Sequence, residues 1–273
     1  MATTTMPTRG WKSATPTRRI LRFELHKNSE LRTQNYMDGW PTTFEAAQVL
    51  QEQLRSQVIT ADDLGDVRTV AGVDAGYEPD PDAGAGSNQM LARAAIVVLE
   101  YPSLRPLDYT IARRPATFPY VPGFLSFREA PAAVAAIEQL RVRPDLLLCD
   151  GQGIAHPRRF GIACHLGLLA GIPAIGCAKS LLVGRYAPVP DERGASVPLI
   201  HRGEQIGVVL RTRVGTKPLF ISVGHRISLA TAVEYVMSCT TKYRLPETTR
   251  AADGLASHGR VPIIAGAQQE RLL

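Results

Sequence analysis

The stretch "DLLLCDGQG", residues 145–153, decides the fold that we expect for this chain. A short apolar run punctuated by glycine is typical of a strand buried inside a parallel sheet. The run ends in Asp150, directly before Gly151, and open α/β sheets bind ligands at the carboxyl ends of their strands. The stretch therefore predicts a central parallel strand with a candidate functional carboxylate at its end.

Along the chain, strands come first and then alternate with helices. Three strands are predicted before the quoted stretch, at 67–77, 92–101 and 107–115, with a turn at 78–89 that is longer than a tight hairpin needs. Further strands are predicted at 173–180, 204–212 and 219–224, and helices at 160–170, 228–240 and 128–140, the last with Pro131 in its first turn. A capping box from Thr42 to Glu45 predicts one more helix, to about Val58. This order predicts an α/β fold, a mixed β-sheet flanked by helices in a single domain.

The two ends of the chain are predicted to differ from its folded body. Residues 1–36 hold seven Lys or Arg and two Glu, so they account for +5 of the net charge of +6. A basic tail of this kind is typical of a solvated, disordered arm, so charge alone is a weak indication of nucleic-acid binding. We predict a basic, disordered extension at 1–37, a folded domain at 38–260 and a short tail at 261–273.

The cysteines and the apolar stretches indicate a reduced protein outside the membrane. Cys149, Cys164, Cys177 and Cys239 are widely spaced in apolar segments, which predicts buried thiols, no disulfides and a reducing, cytoplasmic location. The longest apolar stretch, about 166–178, is interrupted by glycine and proline, so no membrane span is expected. The N-terminus lacks the apolar core of a secretory signal.

Acidic residues stand where an unpaired charge would be costly. Asp74 lies within the apolar strand "VAGVDAGY" and Asp150 ends "LLLCD", while Glu129 closes an aromatic stretch. Three such acids suit an oxygen cage for one or two Mg²⁺ ions. Lys179, at the end of the next apolar strand, would neutralise phosphate charge beside a metal. The alternatives are that Asp74 is a turn or edge residue, that Asp150 caps a loop and that Lys179 is a solvated strand end.

The stretch "FPYVPGFLSFRE", residues 118–129, concentrates four aromatic residues on a stiff loop. Its prolines exclude a regular helix or a central strand there. Phe124 and Phe127 are expected to fill a small satellite core. Tyr120 fits such a core less well, because it lies between two turn-forming segments, and we interpret it as a contact residue.

Beyond these local patterns, a series of blocks resembles the successive motifs of the endonuclease V family, the deoxyinosine 3′-endonucleases. The blocks are "VAGVDAGYE", "PYVPGFLSFRE", "LLLCDGQGIAHPRRFGIACHLG", "PAIGCAKS", "FISVGHRISLATAV" and "KYRLPETTRAAD". They span about residues 68–257 and are long, ordered and individually specific. The basic N-terminal residues and the turn at 78–89 fall outside the resemblance.

The resemblance implies an RNase H-like fold and a DNA-repair hydrolase that uses Mg²⁺, with Mn²⁺ as a possible substitute. Such an enzyme hydrolyses the second phosphodiester bond 3′ to deoxyinosine by in-line attack of a metal-activated water, leaving a 3′-hydroxyl and a 5′-phosphate. By this resemblance Asp74 and Asp150 are the principal metal ligands, with Glu129 as the catalytic glutamate and a third ligand, and Lys179 is the active-site lysine. A fourth position, His or Asp in the family, falls on Asp253, for which an exposed helix aspartate is the alternative.

The resemblance also implies how the lesion is contacted. Tyr120, between Pro119 and Pro122, matches a wedge that parts a base from its neighbours and replaces the lost stacking. The flipped hypoxanthine would meet backbone groups and a tight wall that guanine's extra amine would strike. The residues matching that pocket are Gly123, Leu125, Gly151, Ile162 and Gly176.

Basic residues and a histidine follow Asp150 in the block "AHPRRF". His156 and Arg158 are predicted phosphate contacts. Arg159 suits either a phosphate contact or a solvated loop, and His225 is either a motif residue with a role of its own or a structural histidine.

Rival functions remain open from the sequence. A glycosylase would remove the base, but that chemistry needs no carboxylate cluster of this kind. A non-catalytic nucleic-acid-binding protein would keep Tyr120 and could dispense with the acids. Within the nuclease interpretation, inosine in single-stranded RNA is a competing substrate, because the base pocket alone does not sense the 2′-hydroxyl.

Overall fold

The structure is a computed structural model that describes residues 40–84 and 86–264. The extension predicted at 1–37 therefore lies outside the described residues, as does most of the tail predicted at 261–273. Within the described part of the chain, eight strands form one sheet that five helices cover.

The sheet has the strand order β3-β2-β1-β4-β5-β8-β7-β6. Its strands are β1 (Thr69–Pro79), β2 (Met90–Glu100), β3 (Pro106–Pro115), β4 (Leu146–Cys149), β5 (Ala174–Ala178), β6 (Ser196–His201), β7 (Glu204–Leu210) and β8 (Leu219–His225). The strand β4 pairs in parallel with β1 on one side and with β5 on the other, while the remaining pairs are antiparallel. The prediction of a mixed sheet with a central parallel strand at 145–153 is confirmed.

The helices are α1 (Phe44–Arg55), α2 (Leu125–Glu138), α3 (Ile162–Ala170), α4 (Leu229–Ser238) and α5 (Glu247–His258). Alternate residues of β2 face opposite sides of the sheet. Ala94 and Ile96 pack in the layer that contains α2 and α3, and Ala95 and Val97 pack in the layer that contains α4 and α5. The single α/β domain that the element order predicts is thus a sheet with a hydrophobic core on each face.

Two helix starts differ from their predictions for identifiable reasons. The N-cap of α1 is Thr43 and not the predicted Thr42, because the hydroxyl of Thr43 accepts a hydrogen bond from the Ala46 amide (3.2 Å). The helix therefore begins one residue later than predicted. The helix α2 begins at Leu125, which leaves Pro131 inside it. Proline cannot donate to the carbonyl four residues earlier, and the indole Nε1 of Trp40 donates to that carbonyl, Phe127 O, instead (2.9 Å).

Two elements were not predicted. The strand β6 is an exposed edge strand that contains Pro198, and the helix α5 follows the helix that was expected to be the last. The helix α5 packs directly on the backbone of β1, because a Cβ at Gly72 would lie 1.9 Å from the carbonyl oxygen of Thr248. Glycine at this position therefore permits the close approach of the last helix to the first strand.

The cysteines are free and buried, as predicted. Within the described residues, no helix combines the length and the apolar character needed to cross a lipid bilayer.

Candidate active site

Three aspartates from distant parts of the chain meet beside the central strands β1 and β4. Asp74 lies in β1, Asp150 follows β4, and Asp253 lies in α5. A carboxylate oxygen of each lies within 4.8 Å of the others. The register explains the first pair, because Val73 is paired with Cys149 in the parallel ladder and the aspartates come next in both strands. Asp253 joins them because α5 packs against Gly72 of β1.

Lys179 extends the same row of strand ends. It follows β5, the parallel neighbour of β4, and its Nζ lies 2.5 Å from Asp150 Oδ2 and 3.1 Å from Asp253 Oδ1. Partial burial by itself lowers the pKa of this ammonium, but the hydrogen bonds and charges of Asp150 and Asp253 outweigh burial and raise the pKa. Lys179 is therefore a cation at neutral pH, and the alternative of a free, solvated strand end does not apply.

The aspartates carry more negative charge than one lysine offsets. Burial and then the charge of Asp150 raise the pKa of Asp74 to about 7, against the weaker opposing effect of Lys179. Carboxylate oxygens are the ligands that Mg²⁺ and Ca²⁺ prefer in proteins, and a divalent cation among the three aspartates would remove this repulsion. The residues present thus fit an oxygen-ligated divalent metal ion.

Glu129 enters the site from the opposite side of the sheet. It lies in the second turn of α2, not at the end of the aromatic loop, and it is buried. The Tyr77 hydroxyl donates to Glu129 Oε1 (3.0 Å). Burial raises the pKa of Glu129 to about 8, against the effect of the Tyr77 hydrogen bond and with the charges of Asp74 and Asp150 adding to it. Among the described residues, Asp253 and not Glu129 completes the close group of carboxylates.

The alternation of side chains in β1 explains why Glu129 stands apart. Tyr77 packs in the core layer that includes α2, whereas Gly72, on the same face as Asp74, packs against α5. Asp74 and Glu129 therefore approach the strand end from different faces. Tyr77 is a site residue that sequence reasoning missed, since nothing in its local pattern distinguishes it from an ordinary half-buried strand tyrosine.

The aromatic stretch divides into a buried part and an exposed part. Phe118, Phe124 and Phe127 form a buried cluster with Ala47 of α1, which confirms the satellite core expected for Phe124 and Phe127. Tyr120 is 70% exposed, and Pro119 and Pro122 beside it are exposed as well. The loop at 116–124 thus holds its phenylalanines inward and presents a single aromatic ring to solvent.

The carbonyl of Gly123 fixes this loop through three side chains. It accepts hydrogen bonds from Gln51 Nε2 (3.0 Å), His156 Nε2 (3.0 Å) and Arg158 Nη2 (2.7 Å). Gly123 has a φ of +84°, which other residues rarely adopt. Gln51 also accepts from Arg158 Nε (2.5 Å). We call this arrangement the Gly123 anchor.

The Gly123 anchor changes the interpretation of two predicted phosphate contacts. His156 is only 3% exposed, and burial lowers its pKa to about 4, so it is neutral and turned away from solvent. In this structure His156 binds the Gly123 carbonyl, and its contact with phosphate stays a prediction. Arg158 is half-buried with its guanidinium carbon 4.1 Å from the centre of the Phe124 ring. Gln51 was missed, although a polar residue between Ala47 and Leu54 in the buried stripe of α1 is a signal that could have found it.

Three of the predicted pocket residues, Gly151, Ile162 and Gly176, are immediate neighbours. A Cβ at Gly151 would lie 2.5 Å from Ile162 Cγ2, and a Cβ at Gly176 would lie 2.2 Å from the Gly153 amide nitrogen. Both glycines therefore allow a close approach that other residues would block. The other two predicted pocket residues, Gly123 and Leu125, lie at the end of the 116–124 loop and at the start of α2. The hydrogen bond from His156 links Gly123 to the segment after Asp150.

Two further residues have structural partners. Arg159 is buried and pairs with Glu204 (2.8 Å), so neither a phosphate contact nor a solvated loop describes it. His225 accepts a hydrogen bond at Nδ1 from the Ile59 amide (3.3 Å), and burial lowers its pKa to about 4. This contact agrees with the structural alternative for His225.

Comparison with known proteins gives one consistent result. Residues 52–254 match the model of the endonuclease V family. The chain is 60% identical to endonuclease V of Roseiflexus castenholzii over 223 residues, which is 82% of this chain and 96% of that protein. The crystal structure of endonuclease V from Streptomyces avermitilis has a TM-score of 0.74 at 42% identity, covering 81% of this chain and 95% of that one. A Ciona intestinalis endonuclease V variant, solved with a 23mer DNA containing an inosine followed by a ribo-adenosine, has a TM-score of 0.65 at 28% identity, covering 79% and 97%.

Proposed function

This chain belongs to the endonuclease V family of nucleases, and from that premise we propose that it nicks DNA at the second phosphodiester bond 3′ to deoxyinosine. The products are a 3′-hydroxyl and a 5′-phosphate, with the inosine still in the strand. The observation that carries this proposal is the convergence of Asp74 of β1, Asp150 after β4, Lys179 after β5 and Asp253 of α5. Removal of a base needs no such set of oxygen ligands, so the geometry favours hydrolysis of the backbone over a glycosylase.

We assign the metal site to the acidic residues beside β1 and β4. Asp74 and Asp150 are the principal ligands, Asp253 offers a third oxygen from α5, and Glu129 is the remaining candidate ligand from α2. A bound Mg²⁺, or Mn²⁺ in its place, would stabilise charge on the phosphate and lower the pKa of water. The short distances among the aspartates support this assignment.

The other residues of the site hold groups in place. Lys179, fixed between two aspartates, faces the position where negative charge increases as the phosphodiester bond breaks. The hydroxyl of Tyr77 orients the carboxylate of Glu129. Because both groups are held before substrate arrives, the site loses little conformational entropy on binding.

Recognition of the lesion falls to the exposed loop. Tyr120 parts the inosine from its neighbour and stacks in its place, which offsets roughly 1–3 kcal/mol of the unstacking cost. The extruded hypoxanthine then meets the wall formed by Gly151, Gly176 and Ile162, which the two glycines allow to pack closely together. A close wall of this kind excludes guanine through its additional amine.

The decisive experiment uses end-labelled strands that carry one inosine. We expect cutting of the DNA with Mg²⁺ or Mn²⁺, no cutting with chelator, and no cutting of a matched strand in which adenine replaces the hypoxanthine. A chelator-resistant abasic product would instead identify a glycosylase. Binding without any cutting would identify a non-catalytic nucleic-acid-binding protein.

The same assay addresses a second candidate substrate. The Ciona relative was solved with an inosine followed by a ribo-adenosine, so inosine in single-stranded RNA is a specific alternative. Faster cutting of an inosine-containing RNA than of the DNA of equal sequence would make this protein an inosine-specific ribonuclease.

A further inference from the structure

An exposed tyrosine with cationic neighbours lies in the segment that leads into α5. Tyr243, in the segment between α4 and α5, is 41% exposed. The guanidinium carbon of Arg250 lies 4.0 Å from the centre of its ring, and Lys242 Nζ lies 5.6 Å from that centre. In the described part of the chain, the hydrophobic clusters do not include Tyr243.

Contacts on both sides connect Tyr243 to the candidate active site. The next residue, Arg244, donates to the carbonyl oxygen of Lys179 (2.9 Å), so the segment is held against the end of β5. On the other side, Arg250 precedes Asp253 by three residues in α5, and residues at this spacing share one face of a helix. Tyr243 therefore precedes a residue bound at the end of β5, and its ring contacts a residue on the α5 face that carries Asp253.

The charge around the ring suits a polyanion. Lys242, Arg244 and Arg250 are cations, and Glu247, which accepts from Arg250 (3.2 Å), is the acid in this segment. Lysine and arginine contact phosphates, and an aromatic ring stacks on any base because every base has a π-face. The combination is that of a surface that binds a nucleic-acid strand without reading its sequence.

A second tyrosine of equal exposure shows what distinguishes Tyr243. Tyr186 is also 41% exposed, but its ring packs edge-on against Phe220, with ring centres 5.6 Å apart. The ring of Tyr186 thus packs against Phe220, a member of an apolar cluster, whereas the ring contacts of Tyr243 are with cations. The two tyrosines are equally exposed, so what distinguishes Tyr243 is the cationic character of its neighbours.

We propose that Tyr243, Lys242 and Arg250 form a second nucleic-acid contact, which we call the Tyr243 platform. The ring stacks on a base outside the lesion, and the two cations bind the adjoining phosphates. The inference rests on the proposed function and adds to it, because it places an aromatic contact on the α5 side of the metal site, separate from Tyr120 on the α2 side. A strand held at both contacts would have its backbone positioned across the aspartates.

The test compares Tyr243→Leu, Tyr243→Phe and Tyr186→Leu in steady-state cutting of inosine-containing DNA, after thermal melting has established that each variant is folded. Loss of the stacked ring is expected to raise KM about tenfold in Tyr243→Leu, with a much smaller change in kcat. Tyr243→Phe, which keeps the ring, restores KM, and Tyr186→Leu leaves it unchanged. An unchanged KM in Tyr243→Leu, or an equal rise in Tyr186→Leu, overturns the platform while the proposed function stands.

The phosphate contact has its own readout. Affinity for the same DNA is measured at increasing salt in the Asp150→Asn background, so that binding is seen without cutting. Lys242→Ala is expected to reduce the slope of log affinity against log salt by roughly 0.7–0.9. If the wild-type protein cuts no inosine-containing strand, the proposed function fails, and this binding measurement together with Tyr243→Leu still decides the platform. An unchanged slope and unchanged affinity would refute it.

Discussion

Asp150 is the residue that joins the parts of the candidate site. Its carboxylate lies near those of Asp74 and Asp253 and contacts the ammonium of Lys179. The isosteric change Asp150→Asn removes the charge and keeps the shape of the side chain. A cation at this site would lose one ligand charge, while the exposed loop with Tyr120 would be untouched.

We therefore expect Asp150→Asn to lower the cutting of inosine-containing DNA by roughly a thousandfold, since a catalytic metal contributes several kcal/mol to the stabilisation of the transition state. Binding measured by gel shift should stay near that of the wild type. Asp82→Asn, an exposed residue in the loop between β1 and β2, is the matched control. Near-normal cutting by Asp150→Asn would remove Asp150 from the site.

At the scale of the elements, the site depends on backbone contact between α5 and β1. Gly72 has no room for a side chain, because a Cβ would meet the Thr248 carbonyl at 1.9 Å. Gly76, four residues later in the same strand, is different, because a Cβ there would find its nearest neighbour, Arg93 Nη2, at 3.8 Å. The two glycines offer a direct comparison.

Gly72→Ala is predicted to lower the free energy of unfolding by roughly 2 kcal/mol or more, because the clash is with backbone and α5 must move. The displacement also carries Asp253 away, so the affinity for Mg²⁺, measured by calorimetry, should fall. Gly76→Ala should leave both quantities near the wild-type values. Equal behaviour of the two variants in urea denaturation would contradict the close approach of helix and strand.

The helix α1 has a role at the same scale, since Gln51 holds the loop that carries Tyr120. Gln51→Ala removes one of the three donors to the Gly123 carbonyl and the hydrogen bond to Arg158. We expect weaker binding of inosine-containing DNA in this variant, by roughly 1 kcal/mol for a lost buried hydrogen bond. Gln53→Ala, an exposed position in the same helix, should bind normally.

A double mutant identifies the route of the Gln51 effect. If Gln51 acts by positioning Tyr120, then Gln51→Ala should weaken binding less in a Tyr120→Ala background than in the wild type. Strictly additive losses would mean that α1 acts on binding by another route.

For the whole molecule, the raised pKa values of Asp74 and Glu129 predict how stability depends on pH. Their ordinary pKa values are 3.8 and 4.5, and in the fold they are about 7 and 8. At a pH between the ordinary and the raised pKa of each acid, the folded state binds more protons than the unfolded state. The contribution of these acids to stability therefore falls as pH rises. Above about pH 7.5 the buried histidines are largely neutral in both states, so they no longer oppose this trend.

The metal-free protein should therefore melt at progressively lower temperatures from about pH 7.5 to 9. Mg²⁺ should suppress much of this fall, because the cation compensates the carboxylates. Thermal melts with chelator and with Mg²⁺ measure both effects, and Asp74→Asn should show a shallower dependence. A melting temperature that rises with pH in the chelated protein would contradict the burial of these acids.

The features that could be predicted from the sequence were those set by local patterns, and not those set by contacts between residues far apart in the chain. The strands that carry Asp74, Asp150 and Lys179 are apolar runs, and parallel pairing brings their ends together, so the row of strand ends was predictable. Asp253 was expected only from the family resemblance and not from any local pattern, because α5 is rich in threonine and small residues and its docking depends on one glycine in a strand far away. Gln51 and His156 meet the loop across 72 and 33 residues, and no local pattern records such bonds.

The docking of α5 has a consequence for the life of the protein in the cell. The last helix supplies Asp253 and covers the strand that bears Asp74, and it is also the last described element to leave the ribosome. A chain still in synthesis, or one clipped before residue 247, lacks this helix and with it part of the cutting machinery. This nuclease thus gains its full set of acids only once α5 has been synthesised and has packed on β1.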